Sequence, residues 1–214
     1  MNSNGFFSIE SPFYKLMVKL LDIIKLNFMW MLFSIPIVTI GAATTAAFYT
    51  GFRIDKDEDA YIAAPFIREF KANFKQGCII GIIQLVIIYI IYIDFQLSAA
   101  AGERRLVYMA AGIVAVFLAF LHFIYVYALL ARYDNTIINT FRNSFSVCIK
   151  FFPKTIGLLL LVLAESAIFL WNITTMFVGF FIGPACIILT ICKVVMPMFK
   201  KIEEENAANK DKDK

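Results

Sequence analysis

Residues Lys25–Tyr49 read KLNFMWMLFSIPIVTIGAATTAAFY, and this stretch decides the fold. It is apolar enough to enter a bilayer, yet Pro36 removes a backbone donor and bends or ends a helix there. Beyond the proline, Gly41, Ala42, Ala43, Ala46, Ala47 and Gly51 are small, and small residues let a second helix approach closely in a membrane. The stretch therefore reads as a membrane-embedded element broken at Pro36 and Gly41, with the other helices packed around it. The run from Ile40 to Arg53 is shorter than the ~20 residues of a full crossing. Two readings stay open: an interfacial helix plus one span, or a helical hairpin broken near Pro36.

The whole chain agrees with a membrane setting. Of its 214 residues, 61% are hydrophobic and only 17% charged, with a mean hydropathy of +0.77. Soluble domains carry about 25% charged residues, so too few polar side chains remain here to cover a water-facing surface. The net charge of +4 comes from residues set between apolar runs. Nucleic-acid binding would need a basic stripe in polar surroundings, and none is present. Cys78, Cys148, Cys186 and Cys192 show no CxxC spacing and no histidine pairing, which argues against a zinc site or a disulfide framework. The N-terminal residues do not read as a cleaved signal, because no short hydrophobic region with a clean cleavage site follows Lys15, Lys19 and Lys25.

Outward from the broken element, Pro12 to Leu26 gathers Lys15, Lys19, Asp22 and Lys25 on one stripe, the pattern of an interfacial amphipathic helix. Asp55–Asp59 (DKDED) reads as a solvated loop. Ile62, Phe66, Phe70 and Phe74 recur every four residues opposite Arg68, Lys71 and Lys75, a second surface helix. Spans follow at Cys78–Ile93 and Leu106–Ala131. Ile137, Phe141, Phe145 and Phe152, opposite Arg142 and Lys150, make a third surface helix, and Pro153 suits the first turn of a span from Lys154 to Trp171. The last span, Ile173–Phe199, is expected to kink at Gly183–Pro184 and stop near Pro197.

The expected organisation is one all-α polytopic transmembrane bundle over residues 1–199, with five or six membrane segments and three interfacial helices. It divides into 12–52, 62–131 and 137–199. The last two look like copies of one unit, since Phe70-Lys71-Ala72-Asn73-Phe74 parallels Phe141-Arg142-Asn143-Ser144-Phe145. The charged segment 200–214 is expected to be a disordered tail. Five Lys and Arg fall in Arg53–Lys75 and four in Arg132–Lys154, against two in Gln96–Arg105. The positive-inside rule then puts the C-terminus in the cytoplasm. Six segments with both termini inside is preferred to five with an outside N-terminus.

At FMWMLFSIPIVTIGAATTAAFYTGF (Phe28–Phe52), followed by FIREFKANFKQG (Phe66–Gly77), the sequence resembles the YesL family, a bacterial group called a domain of unknown function (624). The resemblance runs from about Phe13 to Phe199 and is most telling over Ser34–Thr45. It implies a multi-pass protein of the bacterial cytoplasmic membrane with a role beside carbohydrate uptake, and so a sugar transporter complex as partner. It carries over no catalytic residues.

Ionisable groups inside spans are costly and suggest function. His122 lies ten residues before Arg132, and Glu165 eleven after Lys154, so both sit roughly 15 Å into the membrane. Gln84 lies at a similar depth. The three are candidates for one mid-membrane polar cluster, either lining a polar site or serving as interhelical glue. GxSxG, HExxH, P-loop and paired-carboxylate patterns are absent, and a single histidine is a poor basis for a metal site. The expectation is a non-enzymatic accessory or regulatory subunit without metal or cofactor, resting its basic helices on anionic headgroups. The alternative is a small transporter acting as an oligomer around the broken helix.

Overall fold

In the structure, a computed structural model, residues 11–55 and 61–212 are described, and all of their regular structure is helical. The chain runs α1 (Pro12–Phe33), α2 (Ile40–Asp55), α3 (Ala63–Ala72), α4 (Phe74–Ala100), α5 (Arg105–Arg132), α6 (Ile137–Lys150), α7 (Phe152–Leu170) and α8 (Ile173–Lys212). Most of the DKDED loop lies outside the described residues. The molecule is a helical membrane bundle in which α4, α5, α7 and α8 are long and apolar enough to cross a bilayer. That is four among the described residues, fewer than the five or six expected. The difference lies in the opening pair: α2 has only 16 residues, and α1 carries its charges within the same 22-residue helix as its apolar half.

Helix α1 begins where Ser11 Oγ accepts from Tyr14 N and Pro12 occupies the first turn. It ends just before Pro36, as the residue before a proline is driven out of helical geometry. The Thr39 hydroxyl lies 2.7 Å from both the Phe33 and Pro36 carbonyls and closes the break, after which a short turn at Ile37–Thr39 leads into α2.

Helix α2 is the centre of the molecule and packs against α1, α3, α4, α5 and α8. Its small residues explain this. A Cβ added at Gly41 would lie 2.1 Å from the Gly77 carbonyl oxygen, and one at Gly77 would lie 2.6 Å from Ala42 Cα. The backbones of α2 and α4 therefore touch. Thr45 and Thr50 are fully enclosed because their hydroxyls donate back to the Gly41 and Ala46 carbonyls, at 2.9 Å each. Gly41 is thus a packing residue inside α2, and the break itself belongs to Pro36.

Helices α3–α5 and α6–α8 follow the same order, a short amphipathic helix and then a pair of long ones. In each pair the first helix is mostly outward: 17% of the most apolar window is buried in α4 and in α7, against 50% in α5 and 39% in α8. Asn172 Oδ1 accepts from Thr174 N and Thr175 N and starts α8.

Two expectations for α8 are corrected. Gly183, Pro184 and Pro197 all lie within one continuous helix of 40 residues, so α8 neither breaks at Gly183–Pro184 nor stops near Pro197. Proline at 184 cannot donate to the Phe180 carbonyl, but Asn27 of α1 supplies the missing donor: its Nδ2 reaches Phe180 O at 2.9 Å, and its Oδ1 accepts from Ala185 N at 3.2 Å. The segment after Lys200 is not disordered as far as Lys212. It continues α8, pinned by Arg132 on Glu203 and by Lys150 on Glu205.

Candidate intramembrane site

Helices α5 and α8 meet where both reach the basic end of the bundle. There Arg132 grips Glu203 with two hydrogen bonds, Nε to Oε1 at 2.9 Å and Nη2 to Oε2 at 3.0 Å. Tyr133 donates to the same carboxylate at 2.6 Å and its ring packs edge-on against Phe199. Burial, followed by that hydrogen bond to Glu203, pushes the Tyr133 phenol up to about 12. Nearby, burial holds the Glu69 carboxyl above its ordinary range against the opposing pull of Arg68, and Asp134 adds to the rise.

Away from this clasp the helices part around a cavity of about 600 Å³. Its walls come from α1 (Trp30), α2 (Ile40, Thr44, Phe48), α4 (Gln84, Ile88), α5 (notably Ala119, Ile124 and Tyr127) and α8 (Pro184, Ile188). The lining is almost wholly apolar and holds no charged side chain. Most of its polar groups close on one another. Trp30 Nε1 donates to Thr44 Oγ1 at 3.1 Å, the Thr44 hydroxyl donates to the Ile40 carbonyl, and Tyr127 donates to Gln84 Oε1. Ile88 and Val116 are exposed at the rim, so the cavity opens toward the lipid-facing side.

The expected cluster of His122, Glu165 and Gln84 is distributed over three places. Gln84 joins Tyr127 on the cavity wall. His122 points to α6, where Ser144 Oγ lies 2.8 Å from Nδ1 and the imidazole stacks on Phe141. Ser144 Oγ also lies 2.8 Å from the Phe141 carbonyl, so the serine hydroxyl sits between that carbonyl and the imidazole, and the His122 tautomer sets which of the pair donates. His122 also lines a separate cavity of about 280 Å³ with Phe145 and Cys148. Glu165 takes one hydrogen bond, from Thr190 of α8, while its other oxygen is buried without a partner among the described residues. Equal depth brought the three together on paper, but helical phase separates them. His122 and Tyr127 are five residues apart on α5, roughly 140° around its axis, so only Tyr127 faces Gln84.

The break does not line the cavity either. Ile35, Ile37 and Val38 are exposed on the outside of the bundle, and only the flanking Trp30, Ile40 and Thr44 reach inward. Among the described residues no three His, Cys, Asp or Glu side chains converge as metal ligands, and the four cysteines are unpaired. Sequence reasoning missed Asn27, Tyr127 and Trp30. A lone asparagine in the apolar half of α1 was the one signal available for the first.

No curated protein and no solved structure matches the chain. Residues 23–95, from the middle of α1 through most of α4 and so including the break and α2, match the model of a family described as a protein of unknown function, DUF624.

Proposed function

We propose that the protein is a non-enzymatic accessory or regulatory subunit of the bacterial cytoplasmic membrane, working beside a carbohydrate-uptake complex with its basic end in the cytoplasm. The character of the cavity between α4, α5 and α8 carries this reading. A hexose presents a ring of hydroxyls, each needing a partner once water is removed. The cavity instead offers apolar walls whose few polar groups largely bond each other. The break, exposed on the outside, is poorly placed to act as the interrupted helix of a carrier. The association with sugar uptake rests on the sequence resemblance alone.

Under this reading Arg68, Lys71, Arg142 and Lys150 lie near anionic headgroups, where each adds about 1 kcal/mol of attraction. The test is purification of the native protein in mild detergent, with quantitative identification of bound chains. The expected result is a carbohydrate transporter in fixed ratio. Sugar flux into liposomes holding this protein alone would instead establish the alternative, a small oligomeric carrier, which the size of the cavity favours.

A further inference from the structure

The amide of Gln84 is only half used. Its oxygen accepts from Tyr127, while Nε2 makes no hydrogen bond among the described residues. A free N–H at membrane depth is costly, since the bilayer core holds no water to satisfy it. Water is a poor filling for the cavity it lines, since each molecule needs two or more polar partners and the Trp30, Thr44 and Tyr127 donors are already engaged. An empty space of about 600 Å³ would forfeit the packing contacts of every wall. The volume falls in the ordinary range for small-molecule sites, the rim opens to lipid, and the absence of charge in the lining bars a phosphate or ammonium group from the interior.

We propose that this cavity binds one neutral long-chain lipid that carries a carbonyl or hydroxyl oxygen. The oxygen accepts from Gln84 Nε2, and the chain lies between α5 and α8 against Ile124 and Ile188. Such a lipid can sink below the headgroups, whereas a phospholipid is held at the surface by its charge. The site adds a ligand to the molecule whether it is a subunit or a carrier.

Two photoreactive probes test it, a long-chain alcohol and a phosphatidylglycerol, each with a diazirine at mid-chain. Both are added to the intact protein in phosphatidylethanolamine–phosphatidylglycerol vesicles. The alcohol should label the peptides holding Ile124 and Ile188, and Gln84→Leu should lower that labelling about fivefold, the worth of one hydrogen bond. Ala119→Phe fills the cavity while leaving the Gln84–Tyr127 pair in place, so it should abolish the labelling and keeps the test decisive if the first variant fails to fold. Labelling confined to the outward faces of α4 and α7 overturns the proposal. So does equal labelling of the cavity by the phosphatidylglycerol, which would make the occupant an ordinary acyl chain, or labelling indifferent to both substitutions.

Discussion

Helices α3–α5 and α6–α8 repeat one plan, yet they meet the rest of the molecule differently. In the first unit Phe70 packs on Phe33 beside the break, with ring centroids 4.8 Å apart, and Gly77 and Gly81 press on the backbone of α2. In the second, Phe141 stacks on His122 of α5, and Gly157 of α7 faces open space. The difference teaches that α2 assigns the roles. The unit it touches on the glycine side becomes the framework, and the other contributes α8 as a wall and leaves α7 at the margin.

Breaking that asymmetry gives the largest expected effect. Gly41→Ala drives a methyl into the Gly77 carbonyl, which cannot move aside, and should cost about 3 kcal/mol of unfolding stability in mixed micelles. A loss under 1 kcal/mol would mean that α2 and α4 do not touch. Asn27→Leu strips the donor from Phe180 O beside Pro184 and should cost about 2 kcal/mol. Hydrogen exchange or local cleavage at residues 180–185 would locate the loss, and an unchanged α8 would refute the patch.

Smaller effects sharpen the comparison. Arg132→Gln should cost about 1.5 kcal/mol, discounted because Glu203 is 41% exposed, and the difference from wild type should shrink in high salt. Gly157→Ala on the open face of α7 should stabilise by roughly 0.5–1 kcal/mol, opposite in sign to Gly41→Ala. Glu69→Gln should have the smallest effect. The folded protein holds this carboxyl above its usual 4.5, so its contribution to stability is complete below that pH and lost as pH rises through the raised value. The variant should therefore melt slightly above wild type at neutral pH and coincide with it in acid.

What was legible in the sequence followed from periodicity. Phe66, Phe70 and Phe74, and again Phe141 and Phe145, announced α3 and α6, and the apolar runs announced the four long helices. Pro36 marked a true break because α1 closes at Ser34, where the N–H groups of Ser34 and Ile35 fold back on the last turn, and Thr39 caps the Phe33 and Pro36 carbonyls. Pro184 carried the same local signal and the opposite outcome, since Asn27, 157 positions earlier in the chain, repairs the gap. The segment after Lys200 read as disordered from composition, but its glutamates find Arg132 and Lys150 only once α5, α6 and α8 are assembled. The candidate site failed for a related reason. Counting residues into the membrane gives depth, while contact between helices depends on rotation about axes whose packing partners are not written locally.

The length of α8 has a mechanical consequence. At 40 residues it is about 60 Å long, roughly twice the hydrocarbon thickness of a bilayer. One helix thus carries both the cavity wall at Pro184 and Ile188 and, about four turns further on, the Glu203 carboxylate held by Arg132, so the two ends of the bundle share a single continuous element.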